Sequence, residues 1–90
     1  MRTAAKVDAN QAEIVYDLRK VGATVQLLQA VGGGCPDLLV GYHGANYLLE
    51  VKMMNCSLND LQKIWHRAWN GKVATVHSVM DALQVIGAAR

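Results

Sequence analysis

Apolar residues recur along this chain at two different periods, and each change of period marks a change of element. Val7, Ile14, Leu18 and Val21 fall at helical spacing, and Asp8 followed by Gln11 has the form of an N-cap with a partner reaching back. The pattern predicts a first helix over residues 8–20, stopped by Gly22. Ala23-Thr24-Val25-Gln26-Leu27-Leu28 then reads as a strand ahead of the Gly32-Gly33-Gly34 loop. Two further apolar runs, Asp37-Leu38-Leu39-Val40-Gly41-Tyr42 and Tyr47-Leu48-Leu49-Glu50-Val51-Lys52, flank His43-Gly44-Ala45-Asn46 and predict a hairpin.

Ser57 and Asp60 form an S-x-x-D start, after which Leu58, Leu61, Trp65, Ala68 and Trp69 share one face of a second helix ending at Asn70-Gly71. Val73-Ala74-Thr75-Val76-His77 predicts a fourth strand. Ser78 with Asp81 opens a final helix that turns Val79, Leu83 and Ile86 inward. The order is αβββαβα. With no repeat, linker or low-complexity tract, it points to a single α/β domain over residues 1–90 with a mixed four-stranded sheet flanked by helices.

The charged residues in this pattern carry its chemistry. Glu50 and Lys52 are two apart on one strand, so both project to the same face while Val51 projects to the other. A two-residue turn at Gly44-Ala45, or a four-residue loop between Tyr42 and Tyr47, puts Asp37 opposite Lys52 with Glu50 as its diagonal neighbour. A three- or five-residue loop would shift the register by one and require a bulge. Two carboxylates and an ammonium then meet, offering oxygen ligands for Mg²⁺ or Mn²⁺ and a cation beside the attacking water. The plainer alternative has Asp37 capping a strand after Pro36, with Glu50 and Lys52 solvated. Against it, the flanking strands are almost wholly apolar, as in strands covered on both faces, where charges need a purpose.

Composition narrows the setting. Hydrophobic residues make up 52% of the 90-residue chain, above the usual figure of about 45–50%, and a domain this small hides a limited share of its surface. A homodimer would absorb the surplus. The net charge of +2 is compatible with nucleic acid without demanding it, because the nine Lys and Arg residues are scattered. Cys35 and Cys56 form no C-x-x-C, and the start lacks a signal-peptide core, so a reduced cytoplasmic setting is expected. No apolar run approaches the roughly 18 residues of a membrane helix.

Gly-Gly-Gly-Cys-Pro-Asp-Leu-Leu-Val-Gly from Gly32, followed by Leu-Leu-Glu-Val-Lys ending at Lys52, resembles the VRR-NUC group of PD-(D/E)xK nucleases. Asp8-Ala-Asn-Gln-Ala-Glu-Ile resembles the group's first helix, and Leu58 to Trp69 its Gln- and Trp-containing helix. The resemblance covers nearly the whole chain. It implies a restriction-endonuclease-like core and a Mg²⁺ or Mn²⁺ held by Glu13, Asp37, Glu50 and the backbone carbonyl of Val51. It further implies Lys52 and Gln62 as catalytic partners. Free-standing members, many from bacteriophages, are similar in size and form homodimers, and the resemblance implies cleavage of branched DNA such as four-way junctions. The connection Met53-Met54-Asn55-Cys56-Ser57 is shorter and less charged than in relatives.

Other features are expected to be structural. Gly32-Gly33-Gly34 lacks the Gly-Lys-Ser/Thr of a phosphate loop and reads as a flexible turn. Trp65 and Trp69, one helical turn apart, suit a core or dimer interface better than a base-stacking role. His43, His66 and His77 have no zinc spacing. The competing functions are a non-catalytic DNA-binding or assembly module on the same fold, and a purely structural dimerisation protein.

Overall fold

The computed structural model describes residues 9–89. Helix α1 (Gln11–Lys20) is followed by strands β1 (Thr24–Leu27), β2 (Leu38–Tyr42) and β3 (Ala45–Val51). Helix α2 (Asp60–Ala68), strand β4 (Val73–Val76) and helix α3 (Val79–Val85) complete the chain. The expected order αβββαβα therefore holds, with each boundary within a few residues of its sequence pattern. Asp8 and Val7, assigned to the first helix by pattern, lie outside the described residues.

The sheet runs β1-β2-β3-β4, with the first two pairings antiparallel and β3–β4 parallel. A parallel pair needs a crossover, and α2 supplies it. The β2–β3 turn corrects the expected loop. It is a two-residue turn at His43-Gly44, not Gly44-Ala45, with φ of 48° and 79°. Positive φ at both central residues is the type I′ geometry that matches strand twist. Tyr42 therefore pairs with Ala45 and Leu38 with Leu49. The register has slipped by two from the expected one. An even slip leaves every side chain on its intended face, but one step beyond Leu38–Leu49 it sets Asp37 opposite Glu50 and makes Lys52 the diagonal neighbour.

One face of the sheet holds the core. Leu38, Val40, Leu49, Val51 and Val76 pack there against Ile14, Val15 and Leu18 of α1, Ala82 of α3 and Ile86 just after it. The other face departs from the expectation of strands covered on both sides: Leu39 is 38% exposed, because only the Glu50 end of this face lies under α2.

The helix ends explain how α1 and α2 are aimed. Gly22, at φ 98°, closes α1 with a left-handed turn. The Ala23 amide donates to Leu18 O and the Gly22 amide to Arg19 O, each at 3.0 Å, which is the Schellman arrangement. At its start the flanking residue is Asn10, which makes no side-chain cap. Its Nδ2 instead donates to His77 O at 3.0 Å and Lys52 O at 3.4 Å, tying α1 to the ends of β3 and β4. Helix α2 is capped by Asn59, not by the expected Ser57, in a capping box with Gln62. Ser78 caps α3 as its spacing predicted, its Oγ accepting from the Asp81 amide.

Candidate active site

Asp37 enters the site from the bend that follows Pro36. Its carbonyl accepts from the Leu28 amide at 2.7 Å, pinning the residue to the end of β1. Its carboxylate Oδ2 accepts from the Val51 amide at 2.8 Å. The acid is thus tethered to β3 one residue from Glu50.

Glu50 is only 2% exposed and pairs across the parallel ladder with Thr75. Its Oε2 accepts from Gln62 Nε2 at 3.1 Å. Gln62 does two jobs at once, since its Oε1 accepts from the Asn59 amide at 2.9 Å. The side chain that closes the capping box therefore also orients the buried carboxylate.

Helix α2 can come this near because of Gly34. A Cβ built there would lie 2.5 Å from Leu61 O and 3.1 Å from the Gln62 amide nitrogen, and the residue sits at φ 87°. Only glycine satisfies both the conformation and the approach. The three-glycine segment, expected to be a flexible turn, is at Gly34 a packed contact under α2.

Lys52 follows β3, and its amide continues the parallel ladder by donating to Val76 O at 3.0 Å. Strand alternation gives it the face of Glu50, and it is half-buried. Cys35, which sequence reasoning did not select, lies close enough to feel both acids. Burial pushes its thiol above the ordinary range, and the charges of Glu50 and Asp37 add to the effect.

Asp37, Glu50, Lys52 and Gln62 are brought to one end of one sheet face. Glu13 is exposed in the first turn of α1. Among the described residues no three His, Cys, Asp or Glu side chains form a metal-ligand group, so Glu13 is not gathered with the other two acids.

Two carboxylates, one deeply buried, form a hard-oxygen donor set of the kind that holds Mg²⁺ or Mn²⁺ while the ion keeps several waters. The residues present therefore fit a divalent ion. Beside it, an ammonium on the same face can orient water and offset charge developing on a phosphate.

This sheet, with an acid entering β2 and an E-x-K closing β3, is the restriction-endonuclease-like PD-(D/E)xK architecture. Comparison with solved structures bears that out. A VRR_NUC domain superposes with a TM-score of 0.70 at 25% sequence identity, over 86% of this chain and 89% of that one. The chain has the fold of a VRR_NUC nuclease domain. No protein-family profile matches the sequence, and no curated protein matches it. No helix among the described residues is long and apolar enough to cross a membrane.

Proposed function

We propose that this protein is a Mg²⁺- or Mn²⁺-dependent endonuclease that hydrolyses phosphodiester bonds in DNA, acting on branched substrates such as four-way junctions as a homodimer. One observation carries the reading: Asp37 is tethered to Val51 of β3 and its neighbour, the buried Glu50, is held by Gln62, on the face to which strand alternation also turns Lys52.

In this reading Asp37, Glu50 and the carbonyl of Val51 would hold the metal, which when bound would supply Lewis-acid activation of water and phosphate. Lys52 would orient the attacking water and balance the developing charge. Gln62 holds Glu50 in place. The sequence resemblance adds Glu13 to the metal shell, but its exposed position makes Asp37 and Glu50 the principal ligands.

The homodimer and the branched substrate are linked. Leu61 and Ile64 of α2 are 60% and 55% exposed, and Met54 just before it 66%, an apolar strip that a second copy would cover. A two-fold dimer presents two identical sites to two opposed strands, as symmetric cutting of a junction requires. The free thiols of Cys35 and Cys56 suit a reducing compartment such as the cytoplasm.

The test is cleavage of labelled four-way junction, duplex and single-stranded DNA in Mn²⁺, Mg²⁺ or chelator. Metal-dependent cutting that favours the junction supports the whole proposal. Metal-dependent cutting without that preference retains the nuclease and removes the substrate claim. Binding without cleavage in either metal would make the protein a non-catalytic DNA-binding module.

A further inference from the structure

The sheet face that carries Glu50 does not end at the catalytic corner. By strand alternation Leu48 and Asn46 share it, and Leu39 pairs with Leu48 across β2–β3. Beside these residues lies a hollow of about 310 Å³ lined by Leu39, Asn46, Leu48, Trp69 and Lys72 among others. Trp69 is 47% exposed, which removes the core half of the expectation for it. Its indole is held in place: Trp65 stacks on it with ring centroids 4.7 Å apart and planes 16° apart. The Gly71 backbone closes on its edge, where a Cβ would lie 2.9 Å from Nε1.

We propose that this hollow is a binding site for an unpaired nucleotide of single-stranded DNA, with the base on the Trp69 indole and an adjacent phosphate on Lys72. An ordered, half-exposed aromatic beside a cation is the combination that single-strand binders use, because every base has a face to stack and every link a charge to neutralise. The hollow is apolar apart from Asn46, Lys72 and the hydroxyl of Tyr47, and its lining contains no acid; the Lys72 ammonium lies over the Tyr47 ring, 5.3 Å from its centroid. The charge of the hollow suits a polyanion, and its volume suits one base rather than a docked helix. The strip at Leu61 and Ile64 remains separate, available to a second copy.

Position supports the same occupant. At about 3.4 Å of rise per residue, Leu48 and Asn46 lie about 7 and 14 Å along β3 from Glu50. A strand that keeps the duplex spacing of about 3.4 Å per nucleotide covers that distance in roughly two to four nucleotides, and an extended unpaired strand in fewer. The site would grip an unpaired arm just beyond the scissile phosphate. The path of the strand rests on the nuclease reading above, whereas binding at the hollow does not.

The test is fluorescence anisotropy of a labelled oligo(dT) and of a blunt duplex in chelator, where nothing is cut. Wild type is compared with Trp69→Ala, Trp69→Phe and Lys72→Ala, each checked for folding by circular dichroism. Trp69→Ala weakens oligo(dT) binding about 5- to 150-fold, the worth of one stacked base, and leaves duplex binding unchanged. Trp69→Phe, which keeps an aromatic face, retains most of the affinity. Lys72→Ala lowers affinity and flattens the salt dependence. Several outcomes overturn the proposal: no oligo(dT) binding by the wild type, no loss in Trp69→Ala, or equal loss on both DNAs. So does a fall from dimer to monomer mass in Trp69→Ala, which would assign the face to a second copy. A wild type that shows the expected binding pattern but cuts no DNA in Mn²⁺ sinks the nuclease reading and leaves this site standing. One that cuts DNA without the pattern does the reverse.

Discussion

Asp37 accepts the backbone N–H of Val51 at 2.8 Å, so one oxygen of the first acid is committed to the strand that presents the second. This fixes the separation of the two carboxylates by main-chain geometry and leaves the other Asp37 oxygen for a ligand. It also gives Asp37 a structural duty that substitutions can separate from its chemical one. Asp37→Asn keeps a carbonyl oxygen for the Val51 amide and should melt close to wild type in chelator while losing stabilisation by Mn²⁺. Asp37→Ala leaves that amide without its acceptor and should cost an additional ~1–3 kcal/mol. Thermal unfolding with and without Mn²⁺ reads both effects, and identical melting of the two variants in chelator would contradict the tether.

Gly34 is where the loop meets α2. In Gly34→Ala the new methyl meets the Leu61 carbonyl in a left-handed conformation that disfavours any side chain. We expect destabilisation of about 2 kcal/mol or more and a loss of cleavage larger than stability alone explains, because α2 carries Gln62. Urea unfolding with cleavage assays at low temperature separates the two. Gly32→Ala and Gly33→Ala, which meet no atom within 4 Å, pay only the conformational cost and serve as controls.

Gln62 couples a helix cap to a buried acid. Gln62→Ala removes both bonds and should lower stability by about 1–2 kcal/mol as well as slowing cleavage. Gln62→Glu keeps an oxygen for the Asn59 amide but turns a carboxylate toward Glu50, so without metal it is expected to be less stable at neutral pH than at mildly acidic pH. A Gln62→Glu variant with wild-type unfolding at both pH values would show that the contact with Glu50 contributes nothing.

Much of this was legible in the sequence, and the misses have physical causes. Asp37, Glu50 and Lys52 could be read together because strand alternation is strict and because the slip at the hairpin was even, so the face survived an incorrect turn. The turn itself was misplaced because His43 takes a left-handed conformation usually marked by Asn, Asp or Gly. Helix α2 was expected to start at Ser57-x-x-Asp60, but its cap is Asn59 in a box with Gln62, and that start brings Gln62 to Glu50. Leu39 looked like a residue covered on both sides of the sheet, yet no periodicity reveals how far a crossover helix reaches. Asn10 and Thr75 owe their places to contacts distant in sequence, and no local spacing announces them.

His66 gives a pH dependence. Burial lowers the pKa of its imidazole below the ordinary 6.5, and its buried Nε2 has no hydrogen-bond partner. The folded state therefore favours the neutral ring. Because the folded pKa lies below the unfolded one, this contribution is complete above about pH 6.5 and is lost as the pH falls through that value toward the folded pKa. Urea midpoints should decline as the pH falls below about 6.5, and His66→Asn should flatten that decline. An unchanged slope in the variant would place the titration elsewhere.

The most direct test of the central claim is the cleavage rate of a labelled four-way junction at saturating Mn²⁺ for wild type and Lys52→Ala, with Mn²⁺ binding followed by calorimetry on the same samples. Metal ligation by Asp37 and Glu50 does not require the lysine, so Lys52→Ala should still bind Mn²⁺ while its cleavage rate falls by about 10²- to 10⁴-fold. A Lys52→Ala protein that binds the metal and cuts at the wild-type rate would contradict the account, as would a wild type that neither binds Mn²⁺ nor cuts.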